Sequence, residues 1–372
     1  MRMNWPESPY ISLFSLLRLA LGTSAGTIDL PTITKQDWQA LVNLAFAQGV
    51  AAIAVDGLQQ LYESCPNLEL ELDKPELEGL KYEWFGSCFD AEQNYAKHLG
   101  AIEKLASLDN RQSIPMLLMK GYGLSLNYPV PNHRPSGDID VYLFGYGSFG
   151  DQMVQKFFKC GVKQNEDKHS VFSVDGVSVE NHACFVNDTV HPSLKGLNDF
   201  FVAEAGKSVE HQIGEARILL PTAMFNALFL PFHCAGHFVH GEASIRQLCD
   251  WACFVKRYGT EVDWDKVREL AEKYGFLKFY RCLNGIVREY LGVPAECLPD
   301  WPRDKKLEQR VLNEILAPPK SCTALASKVL RYFSSGWKYR MVHNDNMLLT
   351  SFRLAKSYLR LQDKDAVSIW ER

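Results

Sequence analysis

The sequence predicts an α+β chain in which a small mixed-sheet domain is flanked by N- and C-terminal helical regions. Three observations predict it. Apolar residues recur at helical spacing over residues 7–105. From Ile114 short apolar and alternating runs take over, punctuated by Gly, Pro and Asp175-Gly176. From Pro221 the helical period returns. The expected boundaries are 1–107, 108–218 and 219–372.

The chain has 372 residues, 47% hydrophobic and 23% charged, which suits a soluble globular protein with two or three cores. A net charge of −4 gives no general argument for a nucleic-acid partner, so one stays possible without support from overall charge. The ten cysteines form no Cys-x-x-Cys pair and read as reduced, buried thiols. The apolar run Ile11–Leu21 is too short to span a bilayer and is interrupted by Arg18. Glu7 and the lack of a strongly basic start argue against a signal peptide. No membrane association is expected, and the cytoplasm is the expected compartment.

Taken in order, Leu13, Leu16, Leu17, Ala20 and Leu21 form one helical stripe, and Trp38, Leu41, Val42, Leu44 and Ala45 a second behind the cap Thr34. Glu76–Leu105 continues as helix. Ile114–Met119 reads as a buried strand, Gly121–Tyr128 as two helical turns ended by Pro129 and Pro131. Asp138–Phe144 alternates as a half-buried strand, followed by a glycine-rich turn at Gly145–Gly150 and a helix over Asp151–Cys160. Ser170–Val174 and Val177–Phe185 form a hairpin about Asp175-Gly176. Its second strand puts Ser178, Glu180 and His182 on one face. Helices follow at Thr222–Val239, Ile245–Tyr258 and Trp264–Tyr274, the first beginning beside Pro221 and kinked or split at Pro231.

Asp138 and Asp140, at i and i+2 of an extended run, point the same way. Like charges held that close favour a divalent cation, and the hairpin can add Glu180 beside them. Two ions roughly 3.5–4 Å apart can clamp a triphosphate between such ligands. Lys120-Gly121 ends a strand and opens a helix, where a phosphate can sit on free N–H groups. Arg134 can fork onto a phosphate or pair with a nearby acid; Ser136 can donate to a phosphate, and Gly137 adjoins it. His182, facing as Glu180 does, is a candidate substrate contact. The bland alternatives are a solvated acidic strand face and a routine turn.

His233 and His237, one turn apart, can ligate zinc, but His-Glu-x-x-His is absent; packing against the sheet or lining its cleft is the expected role of these two and His240. Lys320, Lys328, Arg331, Lys338, Arg340, Arg353, Lys356 and Arg360 make the C-terminal stretch basic, with Tyr332, Phe333, Trp337 and Tyr339 interleaved. A solvated face is expected there, with RNA or an acidic partner as the alternative.

These residues resemble the nucleotidyltransferase superfamily that includes DNA polymerase β, and more narrowly its uncharacterised bacterial nucleotidyltransferase family. The resemblance rests on Leu118-Met119-Lys120-Gly121, Tyr128-Pro129, Arg134-Pro135-Ser136-Gly137-Asp138-Ile139-Asp140 and Val179-Glu180-Asn181-His182. Asp37-Trp38 through Gly49-Val50 and Ile245 through Asp250 extend it to about residues 10–260. The superfamily's widespread Gly-Ser is Lys120-Gly121 here, as is normal for the narrower family. The resemblance implies Mg²⁺ or Mn²⁺ on Asp138 and Asp140, with Glu180 holding one ion and deprotonating an acceptor hydroxyl. Lys120, Gly121, Arg134 and Ser136 would contact the triphosphate. The implied reaction transfers an NMP from an NTP to an unidentified acceptor with release of pyrophosphate. A non-catalytic nucleotide- or partner-binding module, antitoxin-like, is the alternative on the same fold.

Overall fold

The computed structural model describes residues 9–23, 34–165, 168–317, 336–353 and 356. Helices α1 (Pro9–Ala20), α2 (Lys35–Ala47), α3 (Ala51–Ser64) and α4 (Glu78–Arg111) come first. The cap expected at Thr34 is a capping box with Asp37. α4 is 34 residues long and serves two cores. Near its start Trp84 is buried and donates to the Ala51 carbonyl at 3.0 Å. Farther along, Ile102 and Leu105 pack beneath the sheet.

The strands are β1 (Leu117–Leu118), β2 (Ile139–Tyr142), β3 (Lys163–Asn165), β4 (His169–Val174), β5 (Val177–His182), β6 (Val209–Ile213) and β7 (Ala216–Leu220). They form one seven-stranded mixed sheet in the order β3-β4-β5-β2-β1-β7-β6, with β2 parallel to β5 and antiparallel to β1. Between and after them lie α5 (Tyr122–Ser125), α6 (Gly147–Phe158), α7 (Leu197–Ala205), α8 (Ala223–His240), α9 (Ile245–Tyr258), α10 (Trp264–Lys273), α11 (Leu277–Tyr290) and α12 (Lys305–Leu316). A short helix, Gly336–Val342, packs against α8 and α11. The molecule is therefore α+β, with helical regions flanking one mixed sheet.

The two faces of the sheet enter different cores. Ile139, Val141, Val177 and Val179 join α4 and α6 in the smaller one. Tyr142 joins the larger core, shared by the N- and C-terminal helices, through Phe185, which packs on Phe225 and Phe229 of α8. β2 is consequently buried along its whole length, not half-buried as its alternation suggested. Asp140 shares the Tyr142 face and lies under the C-terminal helices. A polar face of the sequence has become an interior.

Several boundaries differ from expectation. α6 begins at Gly147, so Gly147 and Gly150, expected in a turn, lie in a helix, while Gly145 stays in the turn with φ +89°. The reason is close approach: a Cβ on Gly150 would stand 2.4 Å from the Leu143 side chain. α5 has four residues in place of the expected two turns, because the segment runs on as tight turns toward Pro129 and Pro131. β3, α7 and the β6–β7 hairpin were not anticipated. α8 runs through Pro231, and Thr222 caps it by accepting from the Phe225 N–H at 3.1 Å. The nine described cysteines are all free, and Cys322 lies outside the described residues. No helix among the described residues is long and apolar enough to cross a membrane.

Candidate active site

The parallel pairing of β2 with β5 sets the site. Its register places Asp140 beside Glu180 and Tyr142 beside His182, so both acids face the same way. The antiparallel β4–β5 pairing puts His169 opposite His182. His182 Nε2 lies 3.0 Å from Asp140 Oδ1 and 3.3 Å from Glu180 Oε2, a link between the two carboxylates. His169 Nε2 is 3.5 Å from the other Glu180 oxygen.

Cations balance these acids. Lys120, from the turn after β1, reaches Asp140 Oδ1 at 2.9 Å. The same ammonium donates to His233 Nε2 on α8 at 2.8 Å. Burial, Lys120 and then His237 push His233 well below the usual imidazole range, so its ring is neutral and accepts. Burial alone would raise Asp140, but Lys120 and His182 hold it well below the ordinary carboxylate range. The His182 contact, against burial and the Asp140 charge, also keeps Glu180 below its ordinary value. Lys168 is a further cation of this group: burial and Lys120 lower it, while Glu180 and Asp140 oppose that shift. Two ionised acids thus meet two lysines and three imidazoles in one place.

The family described as uncharacterised nucleotidyltransferase matches residues 34–292. The chain belongs to that family. The match spans α2 to just beyond α11 and so includes every residue of the site. No curated protein and no solved structure matches the chain. Membership supports a general role in nucleotidyl transfer.

The other residues singled out by the sequence take varied positions. Asp138 is exposed in the segment just before β2, and its charge is felt by Arg246. Gly121 has φ +56°, a conformation that favours glycine, and its backbone faces the Asp138 carbonyl and Ser136 Oγ. A four-residue helix behind it offers little dipole, so the positive charge at this turn is the Lys120 ammonium itself. Arg134 takes the second of its two expected roles. It is buried, and its Nε and Nη2 fork onto Asp250 of α9 at 2.7 and 2.8 Å, with the Tyr128 hydroxyl on the same carboxylate at 2.7 Å. Its Nη1 turns to the Pro135 carbonyl and to Ser136 Oγ, so the residue braces the loop before β2 against α9. α4 holds the same loop: Asn94 donates to the Ser136 carbonyl, and the His98 ring meets the Gly137 carbonyl at 2.6 Å.

His233 lines the site, and His237 packs against its ring with centroids 4.5 Å apart. A lysine ammonium already faces His233 Nε2, and among the described residues these histidines belong to no group of three potential metal ligands. Lys338, expected on a solvated basic face, is buried against Glu314 and the Phe238 ring. Lys320, Lys328, Arg331, Tyr332, Phe333 and Arg360 lie outside the described residues. Sequence reasoning missed Lys168, His169, Arg246 and Asp250 as neighbours of the site. His169 had a usable signal: it begins the strand that the Asp175-Gly176 turn folds back on Glu180 and His182.

Proposed function

We propose that this chain is a metal-dependent nucleotidyltransferase of the DNA polymerase β-like superfamily, moving an NMP from an NTP to an acceptor hydroxyl with release of pyrophosphate. One observation carries the reading. Asp140 and Glu180 are paired in register on neighbouring strands, both ionised, with Lys120 and Lys168 beside them. The donor set, hard carboxylate oxygens on rigid strands, fits a divalent ion. Asp140 and Glu180 would hold it, with Asp138 joining from its exposed loop. When bound, such an ion neutralises phosphate charge and acidifies a hydroxyl.

The remaining roles fall to the chain itself. Lys120 and Lys168 bring positive charge to the phosphates, and the Gly121 backbone allows their close approach. Glu180 would accept the acceptor's proton. Arg134 and Asp250 fix the loop that carries Ser136, Gly137 and Asp138, so its contribution is orientation. The test is incubation with each α-labelled NTP and Mg²⁺ or Mn²⁺, following label into candidate acceptors and the protein itself. Nucleotide-dependent thermal stabilisation is read in parallel. Asp140→Asn should lower transfer by about 10²–10³-fold or more while leaving the fold intact. Unchanged metal-dependent binding and turnover in Asp138→Asn/Asp140→Asn would refute the assignment.

A further inference from the structure

The acids of the site stand among imidazoles, and this bears on which ion they hold. His169 and His182 face each other across the β4–β5 pairing, and Glu180 lies on β5 two residues before His182. One ligand atom from each of His169, Glu180 and His182 lies within 4.8 Å of the other two. Among the described residues this is the group of three His, Cys, Asp or Glu side chains so placed. The separations from His182 Nε2 and His169 Nε2 to the Glu180 oxygens are 3.3 and 3.5 Å. Two ligands about 2.1 Å from a tetrahedral ion stand roughly 3.4 Å apart. Each histidine nitrogen thus stands at about that spacing from one of the two Glu180 oxygens, and Asp140 Oδ1, 3.0 Å from His182, is the adjacent fourth donor.

We propose that His169, Glu180 and His182, with Asp140 adjacent, bind a first-row transition ion such as Mn²⁺ in preference to Mg²⁺. The inference rests on the metal-dependent reading above and adds the class of ion and two ligands. Imidazole nitrogen suits first-row transition ions such as Zn²⁺, Fe²⁺ and Ni²⁺ and is accepted by Mn²⁺, their paramagnetic probe here, whereas Mg²⁺ demands near-octahedral oxygen ligands and dehydrates reluctantly. Strand register fixes all four side chains, so binding needs small side-chain adjustments and no backbone movement. Lys120, 2.9 Å from Asp140 Oδ1, supplies positive charge at that oxygen and disfavours a second ion there. The competing reading is a proton shared between His182 and the two carboxylates, with no ion.

Titration of the full chain with Mn²⁺ alone and with Mg²⁺ alone, followed by calorimetry, tests the preference. Pulsed electron paramagnetic resonance of the Mn²⁺-loaded protein reads the ligands directly. The expected result is one Mn²⁺ site with imidazole ¹⁴N coupling and Mg²⁺ binding at least about tenfold weaker. His169→Gln should weaken Mn²⁺ at least about tenfold and reduce the nitrogen coupling, with the metal-free melting temperature unchanged. Absence of ¹⁴N coupling in the wild-type protein would overturn the proposal, whatever the variant does. So would a folded His169→Gln that keeps both affinity and coupling. A nitrogen-coupled Mn²⁺ site with no nucleotide binding or transfer would remove the proposed function and leave the metal site standing. Mg²⁺-supported transfer without nitrogen coupling would do the reverse.

Discussion

Asp250 and Asp140 are both buried carboxylates paired with a cation, yet they are built to opposite ends. Asp250 receives two parallel N–H bonds from Arg134 and an O–H bond from Tyr128. A planar fork on a carboxylate is rigid, so this pair locks the loop before β2 to α9. The contacts to Asp140 fall on Oδ1, from Lys120 and His182, and Lys120 is shared with His233. A lysine is a point charge on a flexible stem and can change partners when a phosphate arrives. One pair braces the structure; in the function proposed above, the other would trade its cation for ligand. A third carboxylate completes the series: Asp109 is buried, its Oδ2 makes no hydrogen bond, and no ion pair to it is formed among the described residues.

The largest effect expected from this contrast is on stability. Asp250→Ala leaves Arg134 buried without its acid, and should lower unfolding free energy by about 3–5 kcal/mol in a denaturant titration. A loss below about 1 kcal/mol would mean that the fork is not the brace inferred here. Next comes Lys120→Met, which should reduce nucleotidyl transfer by about 10²–10³-fold. Its melting temperature should move far less than that of Asp250→Ala; equal destabilisation would erase the distinction between the two pairs.

The smallest effect is at Asp109, whose carboxyl burial alone raises to about 7 from an ordinary 3.8. The folded state therefore keeps a proton that the unfolded chain has lost. That stability is complete below the unfolded value and disappears as pH rises through about 7. Asp109→Asn removes the titration, so relative to wild type it should gain roughly 1–3 kcal/mol between pH 4 and pH 8. Parallel pH profiles of the two proteins would show that Asp109 is not held protonated by the fold.

Local patterns made much of this legible. Helical period located α1, α2, α4 and α8–α10, and the Asp175-Gly176 turn located β4 and β5 with Glu180 and His182 on one face. β6 and β7 were missed although Val209, His211 and Ile213 alternate, because flanking charges make that hairpin look like a loop. The extent of α6 was missed because Gly150 serves close packing against Leu143 and Gly147 lies against Asn181, which no local rule reveals. Lys120 was legible as a residue of the site, but its partners were not.

The sequence by itself determined much of the composition of the candidate site: Asp140, Lys120-Gly121 and a hairpin bearing Glu180 and His182, each set by strand alternation or turn chemistry, whereas Asp138 falls outside β2. Tertiary structure decided how those residues are used. Parallel pairing of β2 with β5, strands separated by more than thirty residues, put Asp140 beside Glu180. Packing of α8 over that face brought His233 to Lys120, and α9 drew Arg134 onto Asp250. These outcomes depend on long-range register and on helices covering a polar strand face, and alternation along one segment carries no record of either.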